Sequence, residues 1–373
     1  MFRSVQGSWG VLYSMMDAPP GARRLLSLPA VYLCLASAVL ADGLQLSGFA
    51  TVRGATEADG PLEQDQAIAR LQVGLDWTST SPFSFHVHAL ARTDDTGSER
   101  GTVGFPEAYL EANFRSERAR LRLRGGGMFL STSLENVDAL WENPYAISSS
   151  ALNTWFGEEL RPVGFDAAYF RSGVMVGATV FRGNDTLGAL PPDRGWALHD
   201  RWTLLGEKAP VDGEVYTSVS AETDGRLGWS ARAGWIGERL TLQYTHFDNR
   251  SDGLRYGDLY NWNTRFDIVG VGFTAGPWTF ASEGGWGPTY LIARGRRFVS
   301  DIRACYALVS RRLPRGRATV RVDSFDDGDA SDAALTLAYL YLPRGRLSGG
   351  VEFATTGEES RLMLQLRFGF SGP

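Results

Sequence analysis

Lysine is all but missing from this chain. Of 373 residues only Lys208 is a lysine, and every other strong base is an arginine. A GC-rich codon supply accounts for that as well as any function would. No basic patch is interleaved with a nucleic-acid-binding module, so no nucleic-acid partner is expected. Cysteine is as scarce: Cys34 lies in a segment expected to be removed, which leaves Cys305, and one thiol builds neither a disulfide framework nor a thiolate metal site. The four histidines, at 86, 88, 199 and 246, are scattered. His86 and His88 share one strand face, a beginning for metal or acid–base chemistry. No third ligand or nucleophile can be assigned to them. No catalytic residue, metal or cofactor is therefore expected, and the pair reads as polar wall. Beyond the amino-terminal region no stretch has the ~18 uncharged apolar residues of a transmembrane helix.

Arg23 and Arg24 precede a mostly apolar run from Leu25 to Leu40 that closes on Val39-Leu40-Ala41. Charged, apolar and cleavable regions in that order are the layout of a secretory signal peptide. The expected division is a signal at 1–41 and a mature domain at 42–373, with Met15 or Met16 as alternative starts. Leu33 before Cys34 argues against a lipoprotein site. The alternative, an amino-terminal anchor, is disfavoured by the short run and by Pro29 inside it.

What is plentiful points to strands. The chain carries 44 Gly, 11 Trp, 13 Tyr and 20 Phe, and apolar residues recur with period 2, as on a strand with two different faces. In Ala67–Thr78 the odd positions Ala67, Ala69, Leu71, Val73, Leu75 and Trp77 alternate with Arg70, Gln72 and Asp76. In the last segment Leu362, Leu364, Leu366, Phe368 and Phe370 alternate with Arg361, Gln365 and Arg367. Sixteen such segments start near residues 44, 67, 83, 104, 118, 163, 174, 226, 238, 264, 278, 298, 316, 333, 346 and 360. Each is about 9–11 residues long, the length of a tilted membrane-spanning strand.

The connections are sorted. Those after even-numbered segments are short, such as Ser116-Glu117, Ser172-Gly173 and Gly276-Pro277, whereas Phe129–Pro162 and Asn184–Gly225 are long and polar. Tight periplasmic turns and large external loops alternate in this way in outer-membrane barrels, and a soluble sandwich has no reason to sort its loops. Trp77, Phe83, Phe114, Trp235, Trp278 and Tyr341 flank the short turns on the aliphatic face, where an aromatic girdle meets the headgroups. The expected fold is all-β: a transmembrane antiparallel β-barrel of about sixteen strands with both termini periplasmic, closed because an open edge in lipid leaves backbone groups unpaired.

The last strand, Leu362–Phe370, resembles the assembly signal of outer-membrane porins, with Ser371-Gly372-Pro373 following the aromatic. The stretch from Ser150 to Pro162 (SALNTWFGEELRP), Arg194 to Arg201 (RGWALHDR), and Asp224-Gly225-Arg226 resemble segments of porin-like outer-membrane proteins of proteobacteria whose substrates are undefined. Phosphate-selective porins are similar in architecture only, since their lysine cluster has no counterpart. The resemblance implies an outer-membrane channel. Its partners would be the bilayer and lipopolysaccharide, the outer-membrane assembly machinery, small hydrophilic solutes and two further copies in a homotrimer.

Arg118, Arg120, Arg122 and Arg124 alternate with Ala119, Leu121 and Leu123. With the aliphatics in lipid, the four guanidiniums share the lumen face at roughly 7 Å spacing. Such a basic ladder is a track for anions; neutralising nearby acids to stiffen the wall is the competing role. Glu107, Tyr109, Glu111 and Asn113 line the same face of the preceding strand, and a Ser116-Glu117 turn sets Glu111 opposite Arg122. Arg53, Arg70, Arg92, Arg232, Arg303, Arg321, Arg361 and Arg367 are further lumen bases. Asp76, Asp166, Glu283, Asp323 and Glu352 are further lumen acids. The wall thus reads net basic although the chain carries a net charge of −5, the excess acid lying in loops. If the segment after the ladder folds inward as a constriction, Glu135, Asp138, Glu142, Glu158 and Glu159 face the arginines. An external lid is the alternative. The function read from all this is a passive porin-like channel with some anion preference. The alternatives are a substrate-specific uptake channel, an outer-membrane enzyme, or a structural barrel with a closed lumen.

Overall fold

A computed structural model describes residues 43–371 apart from 64–65, 94–101, 131, 138, 212–214, 219–220, 329 and 344. The expected export signal lies outside the described residues. Sixteen strands form a closed antiparallel barrel. They are β1 (Leu44–Ala55), β2 (Ala67–Thr78), β3 (Phe83–Arg92), β4 (Val103–Arg115), β5 (Ala119–Gly127), β6 (Val163–Arg171), β7 (Val174–Arg182) and β8 (Gly228–Ile236). The second half comprises β9 (Leu240–Asp248), β10 (Asn263–Ala275), β11 (Trp278–Ala293), β12 (Arg296–Leu313), β13 (Gly316–Asp326), β14 (Ser331–Tyr341), β15 (Leu347–Thr355) and β16 (Ser360–Ser371). Every strand begins within two residues of its expected start. β16 returns to β1, from Ser47 opposite Ser371 to Ala55 opposite Met363, and the sheet has no edge. No helix among the described residues is long and apolar enough to cross a membrane.

The two faces of the wall invert the usual rule of burial. Val52, Leu364 and Leu366 point outward and are 63%, 58% and 63% exposed, while Arg53 and Arg361 on the same two strands are buried. An apolar exterior and a charged interior suit a barrel whose outer solvent is lipid. Phe83, Phe114, Trp235, Trp278 and Tyr341 are all exposed beside the short turns, as a girdle requires.

Three local expectations change. The turn after β4 closes one residue later than expected: the Ser116 amide donates to the Ala119 carbonyl at 2.8 Å, over Glu117 and Arg118. Glu111 therefore lies opposite Arg124, and Asn113 opposite Arg122. Arg118 stands exposed on the turn, so the strand ladder has three arginines. Arg303 faces outward, opposite Trp286, because Ile302 and Ala304 take the buried face of β12. The β11–β12 hairpin, with strands of 16 and 18 residues, is longer than its neighbours. Its turn is Arg294-Gly295, both at positive φ, 51° and 72°. Arg303 thus meets the top of the apolar belt at headgroup level, where an outward charge is tolerated.

Candidate functional site: a filled lumen and its arginine track

The 128–162 segment leaves β5 at Gly126, where φ is 142° and a Cβ would strike the Ala108 carbonyl at 2.3 Å. Only glycine lets the chain turn inward there. The segment then runs through the barrel. Ser150 caps a short helix at Ala151–Asn153 by accepting from the Asn153 amide. The chain continues helically to Glu159 and presents Leu152, Trp155 and Phe156. These pack on inward side chains at the long-loop ends of the strands. The Trp155 ring centroid lies 5.3 Å from that of Phe266, and Phe156 is stacked 4.4 Å from Phe266. Leu187, Leu190, Trp196 and Leu198 of the 183–227 segment join the same cluster. Trp155 is 1% exposed. The half of the lumen at the long-loop end therefore contains an apolar core built from two loops.

The wall charges hold these loops. Glu352 on β15 accepts from the Ile147 and Ser148 amides at 2.6 and 2.9 Å. Glu283 on β11 accepts from the Ser133 hydroxyl and the Leu134 amide at 2.7 and 2.9 Å. Glu107 on β4 accepts from the Phe129 amide at 2.9 Å and the Trp141 ring N–H at 2.7 Å. Arg321 on β13 donates to the Ser148 and Ser149 carbonyls at 2.7 and 2.9 Å and pairs with Glu135 at 3.1 Å. Buried polar backbone needs such partners, since each group left without one costs about 1–3 kcal/mol.

The second loop is tied by charge. Asp200 pairs with Arg53 and, at 2.8 Å, with Arg70. Burial alone would raise its pKa, but the Arg70 and Arg53 guanidiniums hold the carboxyl well below the usual carboxylate range. Glu207 receives Arg92 at 2.9 Å through both oxygens. Glu159 lies 3.3 Å from His199 and so links the two loops.

The loop acids do not meet the ladder. Glu135 faces Arg321 on β13, across the lumen from β5, and Glu142 pairs with Arg367 on β16 and lies 3.9 Å from Arg70 on β2. Asp138 and the Glu158 side chain lie outside the described ones. The ladder has its own acid, Asp166 on β6, which pairs with Arg124 at 3.2 Å, with Arg122 at 3.7 Å and with Arg232 from β8. Three arginines around one carboxylate leave a positive excess. Arg120 lies flat over Phe170, 4.2 Å from the ring centroid. Arg124 and Arg232 are buried, whereas the Arg122 side chain stays 20% exposed. Arg120 and Glu111 are half-buried. His86 and His88 are occupied by Asp76 and Gln72, each at 2.6 Å.

The 183–227 segment also holds a group that sequence reasoning missed. Asp185, Glu222 and Asp224 bring carboxylate oxygens within 4.8 Å of one another. Burial, with the charges of Asp224 and Glu222, pushes the Asp185 carboxyl up to about 6. These residues are separated by almost forty positions, so no local spacing could have grouped them.

No family model matches the chain, and no curated protein does. Solved structures do. The outer membrane channel DcaP of Acinetobacter baumannii is 12% identical, with a TM-score of 0.58 over 88% of this chain and 97% of that one. OmpT, an outer membrane protein of Vibrio cholerae solved in a trimer form, is 10% identical, with a TM-score of 0.55 over 88% and 99%. A triple mutant of the Rh. blastica porin is 12% identical, with a TM-score of 0.52 over 88% and 100%. At these identities the shared property is the fold, that of outer-membrane porins and channels.

Proposed function

We propose that this chain is a porin-like outer-membrane channel that passes small hydrophilic solutes and prefers anions, by a route narrowed by its two inward loops. The arginine track carries the reading. Most lumen charges are consumed in holding loops, but Arg120 and Arg122 stay partly exposed beside a site where three guanidiniums surround Asp166. A confined path lined by fixed positive charge concentrates anions. Single-channel recording in a salt gradient tests it: the reversal potential should take the sign of anion preference. Folded barrels that never conduct would favour a closed structural barrel instead.

A substrate-specific channel is the second reading, favoured by the Trp155–Phe156–Phe266 cluster. A packed apolar core fits selective passage better than a wide sieve. Swelling of proteoliposomes in solutes of equal size and differing charge separates the two readings. Export through the 1–41 signal, insertion by the assembly machinery, a lipopolysaccharide surround and a homotrimer complete the proposal.

A further inference from the structure

The end of the barrel with the short turns carries a cleft of about 570 Å³ whose lining shares Arg120 with the proposed anion track and otherwise lies outside it. It lies between the β4–β5 turn and the β6–β7 turn. Arg115, Arg118, Arg120 and Arg171 surround it. Arg115 and Arg120 are direct cross-strand partners, an arrangement of like charges that costs stability unless something negative lies between them. None of the four arginines forms an ion pair with an acid among the described residues. The acid on the same turn, Glu117, is exposed and likewise unpaired.

The rest of the lining gives the ligand's shape. Val174 and Ile236 border the cleft and are 46% and 51% exposed. Trp235 of the girdle stands beside it, within 3.2 Å of where a Cβ on Gly173 would be. Val174 is the cross-strand partner of both Arg171 and Trp235, so the cleft sets guanidinium and apolar wall side by side at the rim. A free inorganic anion has no use for the apolar part. A molecule with a phosphate head and acyl chains uses both, and arginine's planar fork suits phosphate oxygens. We infer that this cleft binds the headgroup of an anionic phospholipid from the periplasmic leaflet, with Arg115, Arg118 and Arg171 on the phosphate and the chains along Val174 and Ile236.

Native mass spectrometry of the whole barrel in neutral detergent tests this, with phosphatidylglycerol and phosphatidylcholine of identical chains as probes. One phosphatidylglycerol should stay bound at activation energies that strip phosphatidylcholine. In R115Q/R118Q/R171Q, checked for heat-modifiable migration as a sign of folding, the preference should fall at least roughly ten-fold, since three basic side chains near the membrane surface are lost. R294Q/R296Q, on the opposite rim, should keep it. The inference is overturned if the triple variant retains phosphatidylglycerol as wild type does. It is also overturned if glycerol phosphate at millimolar concentration displaces the lipid, which would make the cleft a site for soluble anions. The lipid readout does not depend on conductance, so failure of the channel reading leaves it standing.

Discussion

Arg321 on β13 and Arg122 on β5 obey the same alternation and point into the same lumen, yet they do different work. Arg321 is 1% exposed, and its guanidinium is consumed by Glu135, Asp323 and two loop carbonyls. Arg122 touches Asp166 at 3.7 Å, and its side chain stays 20% exposed. What separates them is whether a loop lies over the strand. The 128–162 segment runs across β11, β13 and β15 and turns their charges into fasteners, whereas the ends of β5 and β6 nearest the short turns stay open.

The first way to break this comparison is to remove the fastener. Arg321→Gln leaves Glu135 and Asp323 buried with unbalanced charge, a loss of about 3–5 kcal/mol when one partner of a buried pair is removed. Arg122→Gln should cost under about 1 kcal/mol, as for partly solvated pairs. Chemical unfolding of the two barrels in detergent measures the gap. Similar losses would mean that the loop does not load the two walls differently. The same reasoning applies to Asp200→Asn, which leaves Arg53 and Arg70 without their shared carboxylate and should release the 183–227 segment to protease before the barrel opens.

A second measurement compares faces instead of walls. Leu364→Arg puts a charge in the apolar belt at a cost of roughly 2–4 kcal/mol, so heat-stable folded barrel should be depleted on refolding into bilayers. Its neighbour Gln365 faces inward but accepts from Arg53 at 2.7 Å. Gln365→Arg therefore places like charges together and is a poor neutral control. Thr241 is half-buried on the inward face of β9, and Thr241→Arg should be tolerated.

How much of this was legible in the chain depends on range. Period 2 in Leu362–Phe370 fixes which face meets lipid, because each residue's neighbours two positions away decide it. The turn after β4 was misplaced by one residue because Ser116, Glu117 and Arg118 are all acceptable turn residues, and only the Ser116–Ala119 hydrogen bond chooses between them. Arg303 was assigned inward because both faces of β12 are largely apolar there, with Ile302, Ala304, Tyr306 and Leu308 on one and Cys305, Ala307 and Val309 on the other, so alternation did not set the phase. The lumen core was out of reach altogether: Ile147 meets Glu352 across 205 positions, and Trp155 meets Phe266 across a fold that had first to close.

The carboxylates of the 183–227 segment sharpen the comparison at the long-loop end, where like charges gather. The Asp185 carboxyl is raised to about 6 by burial and by its acidic neighbours. A raised acid pKa favours the folded loop while the proton stays on. Stability is therefore fully present below the unfolded value near 4 and is lost as pH rises through about 6. The ionised form should cost on the order of 1–2 kcal/mol. Hydrogen exchange at 183–189 should be faster at pH 7.5 than at pH 5, and Asp185→Asn should flatten that difference. Protection that rises with pH would mean that a bound cation, not a proton, neutralises the group.

The smallest expected effect is also the one that bears on function. Arg120→Gln with Arg122→Gln removes the two partly exposed charges and leaves Arg124, Arg232 and Asp166 in place, so the buried ion pairs persist. The alternative double change at Arg120 and Arg124 would strip a buried partner from Asp166 and mix folding with conduction. The Gln pair should migrate as a folded barrel with stability within about 1 kcal/mol of wild type. Its chloride-over-potassium preference should fall at low salt. The difference should fade toward 1 M, where the screening length is about 3 Å and fixed charges no longer reach across the lumen. Unchanged selectivity in a folded variant at low salt would make the track structural, and Arg122 would then differ from Arg321 only in exposure. A fall that persists at high salt would point to direct contact between guanidinium and solute instead of a field.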